Sequence, residues 1–143
     1  MSDFYIMPMF VKLEVKSVEE STKWYREALG FSSVFELPGG DGSVVMAHLR
    51  GTKYQDILLI QNKTAPSPAN SGGVVIHFST NDIDSLDQKV RAKNAEIIEG
   101  PVIRPWNARE IVIKDLDGYV IAFSSQIDGS KAFDEVMDGI QLP

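Results

Sequence analysis

Between Phe10 and Val15 apolar and polar positions alternate: Val11, Leu13 and Val15 share one face, and Phe10, Lys12 and Glu14 share the other. That is the period of a strand with one face buried. The period then changes. Val18, Tyr25, Ala28 and Leu29 recur at helical spacing, Ser17 with Glu20 makes a capping-box start, and Gly30 makes a C-terminal stop. Phe31–Leu37 and Ser43–Arg50 read as strands on either side of Pro38-Gly39-Gly40-Asp41-Gly42, a turn signal, and Asp56–Gln61 reads as a further apolar strand.

The same order then returns. Val74–Thr80 reads as a strand, and Asn81 or Asp82 caps a helix carrying Ile83, Leu86 and Val90 that ends at Asn94. Ala95–Glu99 forms a strand, Gly100-Pro101 turns the chain, and Glu110–Lys114 forms another strand. Asp115-Leu116-Asp117-Gly118 is a hairpin turn of the Asp-Gly type leading into Tyr119–Ser125. At one constant offset Val11 answers to Ile76, Leu13 to Phe78, Val18 to Ile83 and Tyr25 to Val90. A repeat of this length implies two copies of one supersecondary unit around a shared core. The expectation is a single α+β domain spanning residues 1–143: module one 8–62, a polar linker 63–73, module two 74–125, and a tail 126–143. Ala132, Phe133, Val136 and Met137 give the tail a helical pattern suited to packing on the domain or on a second subunit.

Composition narrows the function. A chain of 143 residues that is 43% hydrophobic can bury a real core. It has no cysteine, which excludes disulfides, thiolate metal sites and cysteine nucleophiles. A net charge of -6 argues against nucleic-acid partners and is compatible with a cationic or neutral ligand. No apolar run approaches the ~20 residues of a membrane span. The N-terminal MSDFYIMPMF lacks the basic flank of a secretory signal. A soluble, cytoplasmic protein without a membrane partner is expected.

Three segments in order, VEESTKWYREALGF, NDIDSLDQKVRAKNAEIIEGP and RPWNAREIVIKDLDGYVIAF, resemble the vicinal oxygen chelate superfamily. That group includes glyoxalase I, bleomycin-resistance proteins, fosfomycin-resistance enzymes and extradiol dioxygenases. The resemblance spans roughly residues 8–125 and implies two βαβββ modules, each curling a sheet around a cavity, commonly completed by dimerisation. Function varies widely within such a group. Its enzymes hold one divalent cation with His, Gln or Glu at the start of each module's first strand, and with carboxylates in the last strands. Carried onto this chain, the first-strand positions fall on Phe10 and Val75, and the last-strand position of module two falls on Ala122. In module one the ILLIQN strand offers at most Gln61. Phe, Val and Ala cannot donate to a metal, so no metal and no cofactor is expected.

His77, two residues beyond Val75 on the same strand face, and His48 are the candidates for an unconventional site with Glu14. A strand histidine satisfied by hydrogen bonds is the simpler reading. Lys12 and Glu14 either line the cavity or sit in water. In Arg104-Pro105-Trp106-Asn107-Ala108-Arg109 the indole can stack on a planar or cationic ligand and an arginine can grip a carboxylate; alternatively Trp106 plugs the cavity mouth and Arg109 pairs with a surface acid. Trp24 and Tyr25 read as core or dimer packing, Met7 and Met9 as gap fillers or pocket borders, Asp115 and Asp117 as turn residues, and Gly39, Gly40 and Gly42 as hairpin glycines. The candidate ligand-binding set is Phe10, Lys12, Glu14, His48, Gln61, His77, Trp106 and Arg109. No catalytic residue is assigned. The expected function is metal-independent binding or sequestration of a small molecule in a homodimer cavity. The alternatives are a metal-dependent lyase, isomerase or dioxygenase, and a non-catalytic association module.

Overall fold

The alternating segment and the helical one after it are strand β1 (Phe10–Val15) and helix α1 (Val18–Leu29) in the computed structural model, which describes residues 9–52, 54–65 and 73–140. Strands β2 (Ser32–Pro38), β3 (Val44–Arg50) and β4 (Asp56–Gln61) follow. The order then repeats as β5 (Ile76–Ser79), α2 (Ile83–Ala92), β6 (Ile97–Arg104), β7 (Ala108–Lys114) and β8 (Val120–Gln126), with a short helix α3 (Phe133–Asp138) after it. The chain divides into two compact units, residues 1–68 and 69–143. Met7 and the central part of the expected linker, residues 66–72, lie outside the described residues.

In the first unit the strand order is β1-β4-β3-β2, with β1 parallel to β4 and the other neighbours antiparallel. A parallel pair needs a crossover, and α1 supplies part of it. Ser17 caps α1 by accepting from the Glu20 amide at 3.2 Å. At the other end Gly30 adopts φ 73°, and its amide and that of Phe31 close on Arg26 O and Tyr25 O. The helix packs on β3 and β4, burying Val18, Tyr25, Ala28 and Leu29 with Leu13, Val15, Ala47, Leu49, Ile57 and Leu59. Trp24 and Tyr25 are both buried, their rings edge to face at 5.2 Å, which makes them core residues.

The second unit repeats this plan in the order β5-β8-β7-β6, with β5 parallel to β8. Asp82 is the cap of α2, accepting from the Ser85 amide at 3.0 Å. Ile83, Leu86 and Val90 pack with Phe78, Ile111, Ile113, Ile121 and Phe123, and Phe78 stacks on Phe123. Each sheet therefore has a helix face and an open face, and strand parity assigns every side chain to one of them.

Several local readings change, β7 among them, which begins at Ala108 and not at Glu110. β5 is shorter than the expected Val74–Thr80. Gly100-Pro101 is not a turn between strands: β6 runs through it to Arg104, with a break in register between Glu99 and Val102. Gly100 sits at φ 97°, and a Cβ there would lie 2.5 Å from the Glu110 carbonyl oxygen, so glycine is what lets β6 continue against β7. In the tail, α3 forms as the pattern suggests, yet none of its residues is buried and Phe133 is 73% exposed.

Gly100→Ala should cost at least about 2 kcal/mol, since it combines strained φ with a backbone clash. Gly40→Ala, which meets open space, should stay within about 0.5 kcal/mol of the parent. Urea denaturation of the two variants checks the contrast.

Candidate functional site

The open face of the first unit is set by its register. Phe10, Lys12 and Glu14 of β1 lie beside Asp56, Leu58 and Ile60 of β4, and these beside Arg50, His48 and Met46 of β3. Asp56 is the polar centre. Its side chain is 1% exposed; Oδ1 accepts from Arg50 Nε at 2.9 Å, and Oδ2 accepts from Arg50 Nη2 at 3.2 Å. His48 Nε2 lies 3.0 Å from Oδ2. A carboxylate beside a guanidinium only accepts, so Nε2 of His48 carries the proton. The Arg50 guanidinium also lies over the Tyr54 ring at 5.4 Å.

Gln61 is not on this face. Sharing parity with Ile57 and Leu59, it points to the helix side, where Oε1 accepts from Val18 N at 2.9 Å and Nε2 donates to Lys16 O at 2.6 Å. It fixes the entry into α1. Ile57 pairs with Val11 and Ile121 with Ile76, so the residue of β4 that corresponds to Ala122 is Leu58, not Gln61. Glu14 sits near the Asn62 amide, and Lys12 is exposed on the edge strand.

On the open face of the second unit Glu110 is the buried carboxylate, its side chain 8% exposed. Oε1 accepts from Arg104 Nε at 2.9 Å, and Oε2 accepts from the Trp106 indole Nε1 at 3.3 Å. Arg104 also donates to Glu99, and its guanidinium lies 6.0 Å from the Trp106 ring centroid. The bonds to Glu110 first, and to Glu99 second, hold the Arg104 guanidinium above its ordinary pKa. His77, opposite Ala122, is half-exposed; its Nε2 is 2.9 Å from Ser124 Oγ and 3.8 Å from Glu110 Oε2. Arg109 lies on the other face, with Ile111 and Ile113, and pairs with Asp84 of α2.

Of the candidates, His77 and Trp106 are thus brought together around Glu110. Phe10, Lys12, Glu14 and His48 share the open face of the first unit, while Gln61 and Arg109 are turned to the helix faces. Sequence reasoning passed over Arg50, Asp56, Glu110 and Ser124, and placed Arg104 in the ligand patch without a role of its own. The available signal was charge at strand ends: Asp56 leads an apolar run, and Arg104 and Glu110 flank a tight hairpin whose closing pair is Arg104 with Ala108. Asp115, by contrast, is the turn residue expected, its Oδ1 accepting from the amides of Asp117 and Tyr119.

Two four-stranded sheets of identical topology, each with a helix on one face, define an α+β fold of paired βαβββ units. A family model for the Glyoxalase/Bleomycin resistance protein/Dioxygenase superfamily matches residues 8–123, and the chain belongs to that superfamily. Similar solved structures include TioX from Micromonospora sp. ML1, with 20% identity and a TM-score of 0.67 over 82% of this chain and 97% of that one. TnmS3, an antibiotic binding protein from Streptomyces sp. CB03234, has 19% identity and a TM-score of 0.64 over 88% and 98%. The fosfomycin resistance protein FosX from Listeria monocytogenes, solved as a mutant with Mn(II), has 14% identity and a TM-score of 0.65 over 88% and 94%. At these identities the likeness speaks for the fold alone. No curated protein matches the chain in sequence.

The superfamily's metal asks for about three inward donors. The corresponding positions here carry Phe10, Leu58, Val75 and Ala122, none with a donor atom. Among the described residues no three His, Asp or Glu side chains gather as a metal-binding group. The buried carboxylates on the open faces, Asp56 and Glu110, are already bonded to arginines. The residues present do not fit the divalent cation.

Asp56→Ala should cost about 3–5 kcal/mol, because it removes the buried carboxylate that Arg50 and His48 share. Glu14→Ala, in water, should cost under about 1 kcal/mol. Urea midpoints of both variants check this.

Proposed function

We propose that this protein binds a small organic molecule, and by binding sequesters it, on the open faces of its sheets and without a metal ion. It acts as a homodimer in which a second copy completes the cavity. The observation that carries the reading is the exchange made at the superfamily's metal positions: Phe10, Leu58, Val75 and Ala122 present carbon where donors would be needed, while Asp56 and Glu110 direct their charge at Arg50 and Arg104.

What remains on those faces suits binding. Phe10, Phe35, Leu37, Met46, Leu58 and Ile60 supply apolar surface in the first unit, and His77, Ser124 and Trp106 supply a few fixed polar and aromatic groups in the second. A mainly apolar surface with sparse, oriented polar groups is the usual composition of a small-molecule site. Both oxygens of Glu110 accept from protein donors, Arg104 and Trp106, which holds those two side chains in place on the face. The description of TnmS3 as an antibiotic binding protein agrees with a small organic ligand. Exposed Phe35 and Leu37 on β2, one of the two edge strands of their sheet, agree with a second copy docking there.

A thermal-shift screen of aromatic natural products, run with and without EDTA, tests the reading. A true ligand at a hundredfold its Kd should stabilise the protein by about 2.7 kcal/mol, equally in both buffers. Light scattering should give twice the 15.8 kDa chain mass. Stabilisation that needs a divalent ion, or chemical turnover of the ligand, would contradict it.

A further inference from the structure

The chain is tied down where it leaves β8. Asn107, at φ 63° in the β6–β7 turn, holds the next segment at three points. Its carbonyl accepts from Ile127 N at 3.1 Å, its Oδ1 accepts from Asp128 N at 2.9 Å, and its Nδ2 donates to Asp128 O at 2.7 Å. The Asp128 carboxylate then accepts from Ser130 N and Oγ, shaping the lead-in to α3. These bonds set α3 across the turn and leave a cavity of about 310 Å³ walled by Trp106, Phe133, Val136 and Met137. Lys131 is the charged residue of its lining.

Four properties of this cavity select a ligand. Its size is near the lower end of small-molecule sites, roughly 300–1,000 Å³, and suits about two fused rings. Its walls are an indole, a phenyl ring and a thioether, groups that favour the faces and edges of aromatic rings over flexible chains. Trp106 is also preset: its indole N–H is bonded to Glu110, which is bonded to Arg104, so the ring need not be ordered when a ligand arrives. The lining offers no carboxylate for a cation and one ammonium for an anion. The chain's overall charge of -6 acts weakly here, since charges beyond about a Debye length are screened.

We infer that the cavity between Trp106 and α3 takes a flat aromatic ring bearing an acidic group, the ring lying against Trp106 and Met137 and the acid meeting Lys131. The inference rests on the reading that this protein binds a small molecule, and it names that molecule's class. It also gives the tail a role, since the segment pinned by Asn107 forms one wall of the site.

The test uses the full-length, nitrogen-15-labelled chain and 2-naphthoate, with 2-naphthol and 2-naphthylmethylammonium as the neutral and cationic counterparts. The two tryptophans give two indole resonances, assigned by Trp24→Phe and Trp106→Phe. Naphthoate should shift the Trp106 indole signal to saturation and leave that of Trp24 in place. Lys131→Ala should weaken naphthoate about threefold, the scale of a solvent-exposed charge contact, and leave naphthol unchanged. No saturable shift at Trp106, equal affinity for all three probes, or an equal loss for naphthol in Lys131→Ala would each overturn the inference. Ligands that raise the melting temperature without moving the Trp106 signal would overturn it while sustaining small-molecule binding. A protein that no small molecule stabilises would contradict both.

Discussion

Everything on the open faces follows from one pairing: the first strand of each unit lies parallel to its last, β1 on β4 and β5 on β8. A parallel partner cannot be reached by a hairpin, so the chain crosses over through a helix and returns by antiparallel strands. The helix occupies one side of the sheet. Leu13, Val15, Ile57 and Leu59 bury there with α1, and Phe78, Ile121 and Phe123 bury with α2. The other side is left for side chains not needed by the core.

In this chain those side chains are wired to one another. Asp56 holds Arg50 and His48, and Glu110 holds Arg104 and Trp106. A buried carboxylate tolerates its desolvation only with such partners, and the partners hold it in place. The repeat of the backbone is not a repeat of this wiring. By the strand pairings Asp56 corresponds to Val120 and Glu110 to Met46, so the two units place their charges at different levels of equivalent sheets. Two copies of one scaffold therefore present different surfaces, the first richer in apolar side chains and the second in polar and aromatic ones.

Much of the scaffold was legible because its signals are local. The alternation of Val11, Leu13 and Val15, the Ser17 cap, the Gly30 stop and the Asp82 cap each identify an element without knowledge of the rest. Gly100-Pro101 misled, since two turn-forming residues in sequence also serve a bulge inside a strand, and only the approach of the Glu110 carbonyl distinguishes the two. The faces of Gln61 and Arg109 were within reach of the period-two rule: Gln61 shares parity with Ile57 and Leu59, and Arg109 with Ile111 and Ile113. Starting β7 at Glu110 hid the second of these. The carboxylate clusters were harder to see, because Asp56 with Arg50 and Glu110 with Arg104 become neighbours only through cross-strand register. His77 meets Ser124 across a separation that no local pattern spans.

The central claim is that the open faces hold an organic ligand and not a cation. Paramagnetic broadening of backbone amides by Mn(II) measures this most directly, since a bound ion erases signals around its site at low occupancy. The account predicts only diffuse, weak broadening at exposed acidic positions, with the amides of β1, β4, β5 and β8 retained. Selective loss of signals around Phe10, Leu58, Val75 and Ala122 at substoichiometric Mn(II) would contradict it.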